Sequence, residues 1–333
     1  MSVLATVLGL LLLNVLAFTG ELVAYGTWYA DGQPAGLYAN APGERPRLKP
    51  GARLDGLLYS IHVNDLGFRG PPLQDPPPAN ALRIWCLGGS TTFDIYAPDD
   101  DQTWPAIMGA RLQAARPDRT VEVINAGIPG EILYGSGEDL QALGGRVRPD
   151  VVVIYHGPND LRQVLTVPEE PTPLFPIPID PALLRVASRV LQGSSHLKVN
   201  MPARAVTLRD LQPIRQRLTD LIRRAEGAGA RPILATHAMR WSPDAIGEQA
   251  RALVAESVVL LQMDAPSVIA AFATYNELIR QLAAERRIPL ADVRAAVSDD
   301  PRNWGDATHF RAPGSQLAGA AVSDAILAAG LAD

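Results

Sequence analysis

The stretch Arg83-Ile84-Trp85-Cys86-Leu87-Gly88-Gly89-Ser90-Thr91-Thr92-Phe93-Asp94 contains an apolar run that ends abruptly at two glycines and a serine. Residues 84–87 are continuously apolar and β-compatible, as expected for a strand that is covered on both faces. Gly88 and Gly89 tolerate backbone angles that other residues resist, so they can present the Ser90 hydroxyl at the end of the strand. Open α/β sheets bind their ligands at this edge. By itself, Gly-Gly-Ser-Thr is equally typical of an ordinary loop or of a phosphate-binding turn.

The composition is that of a globular protein, and it excludes several classes of function. The 333 residues are 47% hydrophobic and 20% charged, which suits one large α/β domain with appendages or two smaller domains. The net charge of −5, without a cluster of Lys and Arg, argues against a nucleic-acid partner. The single cysteine, Cys86, excludes an internal disulfide and a cysteine-rich metal site, and its place in an apolar strand predicts a buried, inert thiol.

Residues 3–18 form an almost wholly apolar segment that predicts membrane targeting. A spanning helix needs about 20 apolar residues, so the segment is slightly short unless residues 22–24 extend it. Three aromatic residues suit a membrane-interface belt and favour an uncleaved anchor: Tyr25, Trp28 and Tyr29. We therefore expect an anchor over residues 1–26, with the protein on the periplasmic or outer face of the membrane. The alternatives are secretion after cleavage of a signal peptide and a buried core helix.

Residues 27–80 are rich in Pro and Gly and are predicted to form a juxtamembrane connector with one ordered patch at 60–70. Residues 81–333 alternate strand and helix patterns, which predicts a three-layer α/β/α, flavodoxin-like domain around a parallel sheet. The predicted strands are 84–87, 121–124, 151–155, 232–236 and 288–293, and the predicted helices are 101–115, 206–227, 244–261, 266–286 and 313–329. The three aspartates at 99–101 are interpreted as helix caps. The proline-rich segment 161–205 is interpreted as a wall or lid beside the crevice.

Asp306 and His309 are three residues apart, so on a tight turn both side chains can point the same way. A carboxylate placed in this way can fix the imidazole tautomer and stabilise its positive charge, while the other ring nitrogen removes a proton from a serine. Ser90 is the serine that combines a strand end with flanking glycines. An Asp-x-x-His motif alone arises often by chance, and it gains weight here from the other motifs.

Four motifs together resemble the sequence blocks of the SGNH hydrolases, also called the GDSL esterase/lipase family: Gly88-Gly89-Ser90-Thr91, Asn125-Ala126-Gly127, Gly157-Pro158-Asn159-Asp160 and Asp306-Ala307-Thr308-His309. The resemblance implies that Ser90 is the nucleophile, His309 the general base and acid, and Asp306 its orienting partner. It also implies an oxyanion hole made by the backbone N–H groups of Ser90 and Gly127 and by the side-chain amide of Asn159. The first block has the Gly-Gly-Ser-Thr form that resembles membrane-anchored bacterial members.

Three further residues are weaker candidates for contact with a substrate. Asp94 follows the first block, where it can bring a carboxylate near the pocket. His156 lies next to the third block and can line the pocket, although hydrogen-bonded packing is the somewhat favoured interpretation. His237, together with Trp241, follows the fourth predicted strand and is expected at the rim of the crevice. The histidines are spread too widely for a zinc motif, so neither a metal nor another cofactor is expected.

The residues therefore predict a serine ester hydrolase, an esterase, lipase or carbohydrate deacylase, that works through an acyl-enzyme on a small-molecule, lipid or glycan ester. An O-acyltransferase acting on a glycan or lipid with the same three residues is the main alternative, because it differs only in excluding water and admitting another alcohol. A non-catalytic binding protein of the same fold is a further alternative, against which the intact Ser, His and Asp set argues. A nucleotide-binding role lacks both the P-loop lysine and a spaced set of glycines.

Overall fold

The computed structural model describes residues 3–27, 29–30, 33–39, 44–166, 201–242 and 247–333. Most of the predicted proline-rich lid, residues 167–200, lies outside the described residues, as does Trp28 of the predicted aromatic belt. The strands are β1 (Tyr29–Ala30), β2 (Gln33–Pro34), β3 (Arg53–Asp55), β4 (Ser60–His62), β5 (Ala81–Gly88), β6 (Thr120–Gly127), β7 (Val151–Tyr155), β8 (Arg231–Ala235) and β9 (Leu290–Ala291). The helices are α1 (Val3–Tyr25), α2 (Ser90–Phe93), α3 (Trp104–Ala115), α4 (Leu133–Val147), α5 (Pro158–Leu165), α6 (Gln212–Gly227), α7 (Gly247–Leu261), α8 (Ala265–Arg286), α9 (Val293–Ala296) and α10 (Ala312–Ala328).

A parallel five-stranded sheet forms the centre of the protein, as the alternating pattern predicts. Its strands lie in the order β6-β5-β7-β8-β9, so the strand that is first in the chain lies second in the sheet. This order, 2-1-3-4-5, is that of flavodoxin-like sheets, in which the crevice opens at the carboxyl ends of the first and third strands. Here those strands are β5 and β7, which are followed directly by Ser90 and by the loop that carries Asn159.

Helices cover both faces of the sheet because its central strands are apolar on both sides. On one face, Ile84 and Cys86 share a core with Met108 of α3 and Val322 of α10. On the other face, Trp85 and Leu87 of the same strand share a core with residues of α4, α6, α7 and α8. Cys86 is fully buried, as predicted, and burial raises the pKa of its thiol. The layers are thus α/β/α.

A buried arginine joins the strands near their amino-terminal ends, at the end of the sheet opposite the crevice. The Arg83 guanidinium donates to Glu122 Oε2 of β6 (2.7 Å) and to the carbonyl of Val147 at the end of α4 (2.7 Å). The backbone N–H of Arg83 donates to Asp150 Oδ2, just before β7 (2.7 Å). Because the charge is paired and its donors are used, this residue fixes β5 against both of its neighbours.

The segment predicted as a connector is more ordered than the sequence indicates. Strands β3 and β4 form an antiparallel hairpin, and apolar side chains of the segment form a third core with Phe93 and Ile128 of the main domain: Leu37, Leu48, Ala52, Leu54, Ile61 and Val63. The prediction of a single ordered patch at 60–70 is too narrow, because residues before the patch also pack against the crevice-bearing domain.

The start of α3 corrects the interpretation of residues 99–101. The helix begins at Trp104, and its cap is Thr103, whose hydroxyl accepts the N–H of Ala106. Asp100 instead accepts hydrogen bonds from the side chains of Arg69 (2.8 Å) and His62 (2.9 Å). It therefore holds the segment before the sheet rather than the helix end.

Helix α1 includes the whole of the predicted membrane segment, residues 3–18. Its leucines at positions 10–13 are not covered by the rest of the described chain. Leu10, Leu11, Leu12 and Leu13 are 50–60% exposed, which is incompatible with a buried core helix. Measured by length and hydropathy, no individual helix of the described residues qualifies as a membrane span; the apolar stretch Gly9–Ala24 is too short. A bent pair, Leu253–Leu261 and Ala265–Arg286, meets the criteria together by length and composition, with an angle of 81° between its members.

Candidate active site

The serine predicted at the end of the first strand lies at the start of the four-residue helix α2. A Cβ atom on Gly88 would lie 2.0 Å from Thr92 Oγ1 and 2.3 Å from the carbonyl oxygen of Tyr155, so this position requires glycine. The close approach allows Thr92 to donate a hydrogen bond to that carbonyl (3.0 Å), which ties α2 to the end of β7. Ser90 is thereby held, partly exposed, at the crevice between the two strands.

Ser90, His309 and Asp306 form a continuous line of hydrogen bonds. The distance from Ser90 Oγ to His309 Nε2 is 2.7 Å, and that from His309 Nδ1 to Asp306 Oδ2 is also 2.7 Å. The three side chains, brought together across 219 residues, are all partly exposed. The turn that carries Asp306 and His309 is closed by the backbone N–H of Gly305, which donates to the carbonyl of His309 (2.9 Å). The structure thus brings together the residues that the two sequence motifs predict.

Asp306 is fixed as an anion by the residues that follow it. Its Oδ1 atom accepts the backbone N–H groups of Thr308 and His309, both at 2.9 Å. Burial would raise the pKa of this carboxyl, but the His309 ring and the two N–H groups outweigh that effect and hold the pKa at about 2. A carboxylate of this kind stabilises positive charge on the imidazole without taking its proton.

Two side chains that the sequence did not indicate complete the surroundings of Asp306. Tyr96 donates its hydroxyl to Asp306 Oδ2 (3.2 Å), and its ring covers Gly305, where a Cβ atom would lie 2.3 Å from the ring. Glu256 of α7 accepts the backbone N–H of Ala307 (3.4 Å), and burial together with the charge of Asp306 raises its pKa. Both contacts join residues far apart in the chain, so no local motif reveals them.

Asn159 lies at the start of α5, beside the serine. Its Nδ2 atom donates to the carbonyl of Glu131 (3.0 Å), which leaves the second N–H of the same amide for another acceptor. A Cβ atom on Gly89 would lie 2.9 Å from Asn159 Nδ2, so the absence of a side chain at Gly89 allows the amide to approach Ser90. The Glu131 side chain is in turn held by Arg45 (2.7 Å).

The structure argues against the predicted role of Gly127. Its backbone N–H donates to Asn125 Oδ1 (3.1 Å), and a Cβ atom there would lie 2.0 Å from the backbone nitrogen of Phe93. Gly127 therefore serves the close packing of β6 against α2. Its N–H group is already used, so it is not available to a ligand.

Gly130, three residues after this motif, offers a backbone donor. In the turn from Ile128 to Glu131, the N–H of Ile128 donates to the carbonyl of Gly88 (3.1 Å) and that of Glu131 to the carbonyl of Ile128 (2.9 Å). Pro129 has no N–H, which leaves the N–H of Gly130 within this fully described turn. Gly130 is exposed and has a φ of 88°, a conformation that suits glycine.

Asp94 does not line the crevice, contrary to the expectation from sequence. The side chain is 1% exposed, and its Oδ2 atom accepts the backbone N–H of Trp104 at the start of α3 (2.9 Å). Arg69 donates to the backbone carbonyls of Phe93 and Asp94, both at 3.0 Å, at the end of α2. Burial raises the pKa of Asp94 to about 6, against the opposing hydrogen bonds and the charge of Arg69. Asp94 therefore joins the end of the serine-bearing helix α2 to the start of α3.

The two histidines that were weaker candidates are also buried. His156 hydrogen-bonds to Ser136 (3.0 Å) and Asp160 (3.2 Å), which agrees with the packing interpretation. His237 is fully buried, with its ring stacked on Tyr155 at a centroid distance of 5.1 Å, and burial lowers its pKa to about 3. The expectation that His237 and Trp241 reach the rim is wrong, because α8 and aromatic side chains cover the end of β8.

Within the described ranges, no group of three or more His, Cys, Asp or Glu side chains is placed to hold a metal ion. His196 lies outside those ranges. The crevice presents a hydrogen-bonded serine, a histidine and an amide donor.

Comparisons with known proteins place this arrangement in context. The profile of the GDSL-like Lipase/Acylhydrolase family matches residues 86–317, more than half of the chain. Similar solved structures include LAE5, an alpha/beta hydrolase enzyme from the metagenome of Lake Arreo, Spain, with 18% identity, a TM-score of 0.46, and coverage of 76% of this chain and 96% of that one. Another is Axe2, an acetylxylan esterase from Geobacillus stearothermophilus, with 17% identity, a TM-score of 0.44, and coverage of 74% and 94%. A third is a lipase/acylhydrolase from Enterococcus faecalis, with 18% identity, a TM-score of 0.44, and coverage of 74% and 96%. No curated protein matches.

Proposed function

Because the chain belongs to the GDSL-like lipase/acylhydrolase family, we propose that it is a serine ester hydrolase that works through an acyl-enzyme at Ser90. The observation that carries the proposal is the hydrogen bond of 2.7 Å from Ser90 Oγ to His309 Nε2, continued at 2.7 Å to Asp306. A serine hydroxyl is a weak nucleophile until a neighbouring base removes its proton, and this geometry supplies the base.

In the first step, Ser90 Oγ attacks the ester carbonyl while His309 Nε2 takes the hydroxyl proton. The imidazolium that forms is stabilised by Asp306, whose low pKa keeps it charged throughout. His309 then gives its proton to the departing alcohol oxygen, and the acyl group stays on Ser90. Water attacks the acyl-enzyme with His309 again as the base, which releases the acid and returns the proton to Ser90 Oγ.

The negative charge of the tetrahedral intermediate needs donors that are already in place. We assign these to the free N–H of the Asn159 side chain and to the backbone N–H groups of Ser90 and Gly130. The assignment of Gly130 in place of Gly127 rests on the occupied N–H of Gly127 and on the exposed turn at Gly130. Asn159 is oriented by its bond to the Glu131 carbonyl, so the donor is held before substrate arrives.

The direct test is labelling with a fluorophosphonate probe and hydrolysis of a short-chain ester by the wild type and by Ser90→Ala. We expect both signals to disappear in the variant. The matched control is Ser136→Ala, because Ser136 also hydrogen-bonds to a histidine but is buried. Equal labelling of the wild type and Ser90→Ala would remove Ser90 from the role of nucleophile.

The same assay separates hydrolysis from acyl transfer. A hydrolase gives free acid at a rate that added sugar or lipid alcohols do not change. If turnover rises with such an alcohol and the acyl group appears on it, the protein is an O-acyltransferase and the hydrolase assignment falls.

The exposed leucines of α1 support a further proposal, that this helix attaches the protein to a membrane. Large aliphatic side chains that are half exposed to water are unfavourable, and transfer to lipid removes that cost. The measurement is membrane fractionation of the full chain beside a variant in which Leu11 and Leu12 are replaced by Asp. Attachment predicts a membrane-bound wild type and a released variant, and a wild type found wholly in the aqueous fraction contradicts it.

A further inference from the structure

A second exposed apolar element lies at the tip of the hairpin formed by β3 and β4. Leu57 is 78% exposed and Leu58 is 54% exposed, the two occupying adjacent positions in the turn between the strands. Neighbouring exposed leucines at a hairpin tip are costly in water, and they are not required by the hairpin, whose buried members are Leu54 and Ile61.

The hairpin tip is fastened to the end of α1. The backbone N–H groups of Leu57 and Leu58 donate to the carbonyls of Val23 and Ala24, both at 2.8 Å. These carbonyls belong to the last turn of the helix, where no intrahelical donor is available, so the hairpin serves as its cap. Gly26 follows with a φ of 70° and lies against the backbone of Asp55, where a Cβ atom would come within 2.6 Å. The apolar tip and the apolar helix therefore form one surface.

We propose that this surface, the α1 helix with Leu57 and Leu58, is a lipid-contacting surface that seats the active site beside a membrane. The inference rests on the membrane attachment proposed for α1 and adds the hairpin tip as a second point of contact. Lipid fits better than a protein partner because four successive residues, Leu10 to Leu13, are exposed together. Successive residues point about 100° apart around a helix, so these four leucines face all sides of this stretch, which lacks the single apolar stripe that a protein partner covers.

The hairpin also leads directly to the active site. The N–H of Ser60, at the start of β4, donates to the carbonyl of Pro98 (2.7 Å), two residues after Tyr96. Tyr96 in turn donates to Asp306. A membrane that touches Leu57 and Leu58 would lie on the Tyr96 side of the crevice, which favours esters whose acyl chain or alcohol is embedded in the bilayer.

The test places an environment-sensitive fluorophore at Leu58→Cys in the full chain. Selective labelling is possible because Cys86, the single native cysteine, is fully buried. Two companion variants are labelled in the same way: Leu12→Cys in α1, and Leu317→Cys, an exposed position of α10. With vesicles of dioleoylphosphatidylcholine, we expect emission at positions 58 and 12 to shift to shorter wavelength and to be quenched by acyl-chain nitroxide lipids, while position 317 does not respond.

The responses at the three positions distinguish lipid contact by the hairpin from attachment through α1 alone. A response at position 12 without one at position 58 would leave α1 as an anchor and overturn the hairpin contact, and a response at none of the positions would overturn both. A shift at position 58 that appears without vesicles and grows with protein concentration would identify a second copy as the occupant and also overturn the proposal. None of these results depends on ester hydrolysis, which the labelling of Ser90 reports separately.

A second measurement uses the double variant Leu57→Asp/Leu58→Asp in vesicle sedimentation. Because the change removes two leucine side chains that would enter the lipid, it is expected to weaken vesicle binding about tenfold or more. The matched control is the double variant Leu317→Asp/Leu327→Asp, in which two exposed leucines of α10 receive the same change. Equal binding by both double variants would refute the hairpin contact.

Discussion

Replacing Asp94 by Asn tests the account of the carboxyl group beneath the serine-bearing helix. The group is fully buried, and burial raises its pKa from 3.8 to about 6. The folded state therefore holds a proton that the unfolded chain has lost between about pH 4 and 6. The contribution of this group to stability is complete below pH 4 and is lost as the pH rises through 6.

The size of the effect follows from the change in pKa. At about 1.4 kcal/mol per pKa unit, the ionised carboxyl costs the fold up to about 3 kcal/mol at neutral pH. An amide avoids that cost, keeps an oxygen to accept the N–H of Trp104, and tolerates the φ of 64° at this position. We expect Asp94→Asn to be more stable than the wild type at pH 7, by a margin that shrinks to zero below pH 4.

Urea unfolding of both proteins at several values between pH 4 and pH 8 measures this margin. The matched control is Asp99→Asn, an exposed aspartate of the same loop, for which the curves of variant and wild type should coincide. A margin that does not vary with pH, or an Asn variant that is less stable at pH 7, would refute the reasoning.

Three further predictions concern the site and its packing. Asn159→Ala and Asn159→Asp should each lower kcat about 10²-fold or more through loss of an oxyanion donor, and an unchanged kcat would remove this residue from the site. In the wild type, the unfolded chain binds a proton on His237 below about pH 6.5, whereas the folded protein, in which the pKa is about 3, does not, so this residue lowers stability as the pH falls. His237→Phe removes that contribution, and in urea unfolding the variant should lose about 2 kcal/mol less stability than the wild type between pH 7 and pH 5. Gly127→Ala should cost about 3 kcal/mol or more through its backbone clash, whereas Gly145→Ala, with open space around it, should be neutral or stabilising in thermal unfolding.

The sequence predicts those parts of the site whose geometry depends on only a few consecutive residues. An apolar run that ends at glycines predicts the position of Ser90, and the three-residue spacing predicts that Asp306 and His309 meet. The order of strands and helices predicts the parallel sheet, and the structure confirms it. Each of these inferences needs only the geometry of one strand, one turn or one repeating unit.

The predictions for Gly127 and His237 are wrong because the position of each residue depends on packing between segments that are distant in the chain. Gly127 and Gly130 lie three residues apart after the same strand, and the sequence alone does not reveal that the N–H of Gly127 donates to the Asn125 side chain. His237 follows a strand in the way that a rim residue does, and it is buried because α8 packs over it. Tyr96 reaches Asp306 across 210 residues, a contact for which no spacing rule exists.

The residues before the first strand of the sheet matter most to how the site is held. Arg69 is buried, pairs with Asp100, and donates to three backbone carbonyls at the end of the serine-bearing helix and just after it: Phe93, Asp94 and Ala97. Arg45 holds Glu131, whose carbonyl orients Asn159. Breaking a buried ion pair such as that of Arg69 costs about 3–5 kcal/mol, which is a large part of the stability of an ordinary domain. The family match begins at residue 86, so both arginines lie outside it. In this chain the nucleophile and the oxyanion donor are therefore each fixed by the segment that sequence alone classified as a connector.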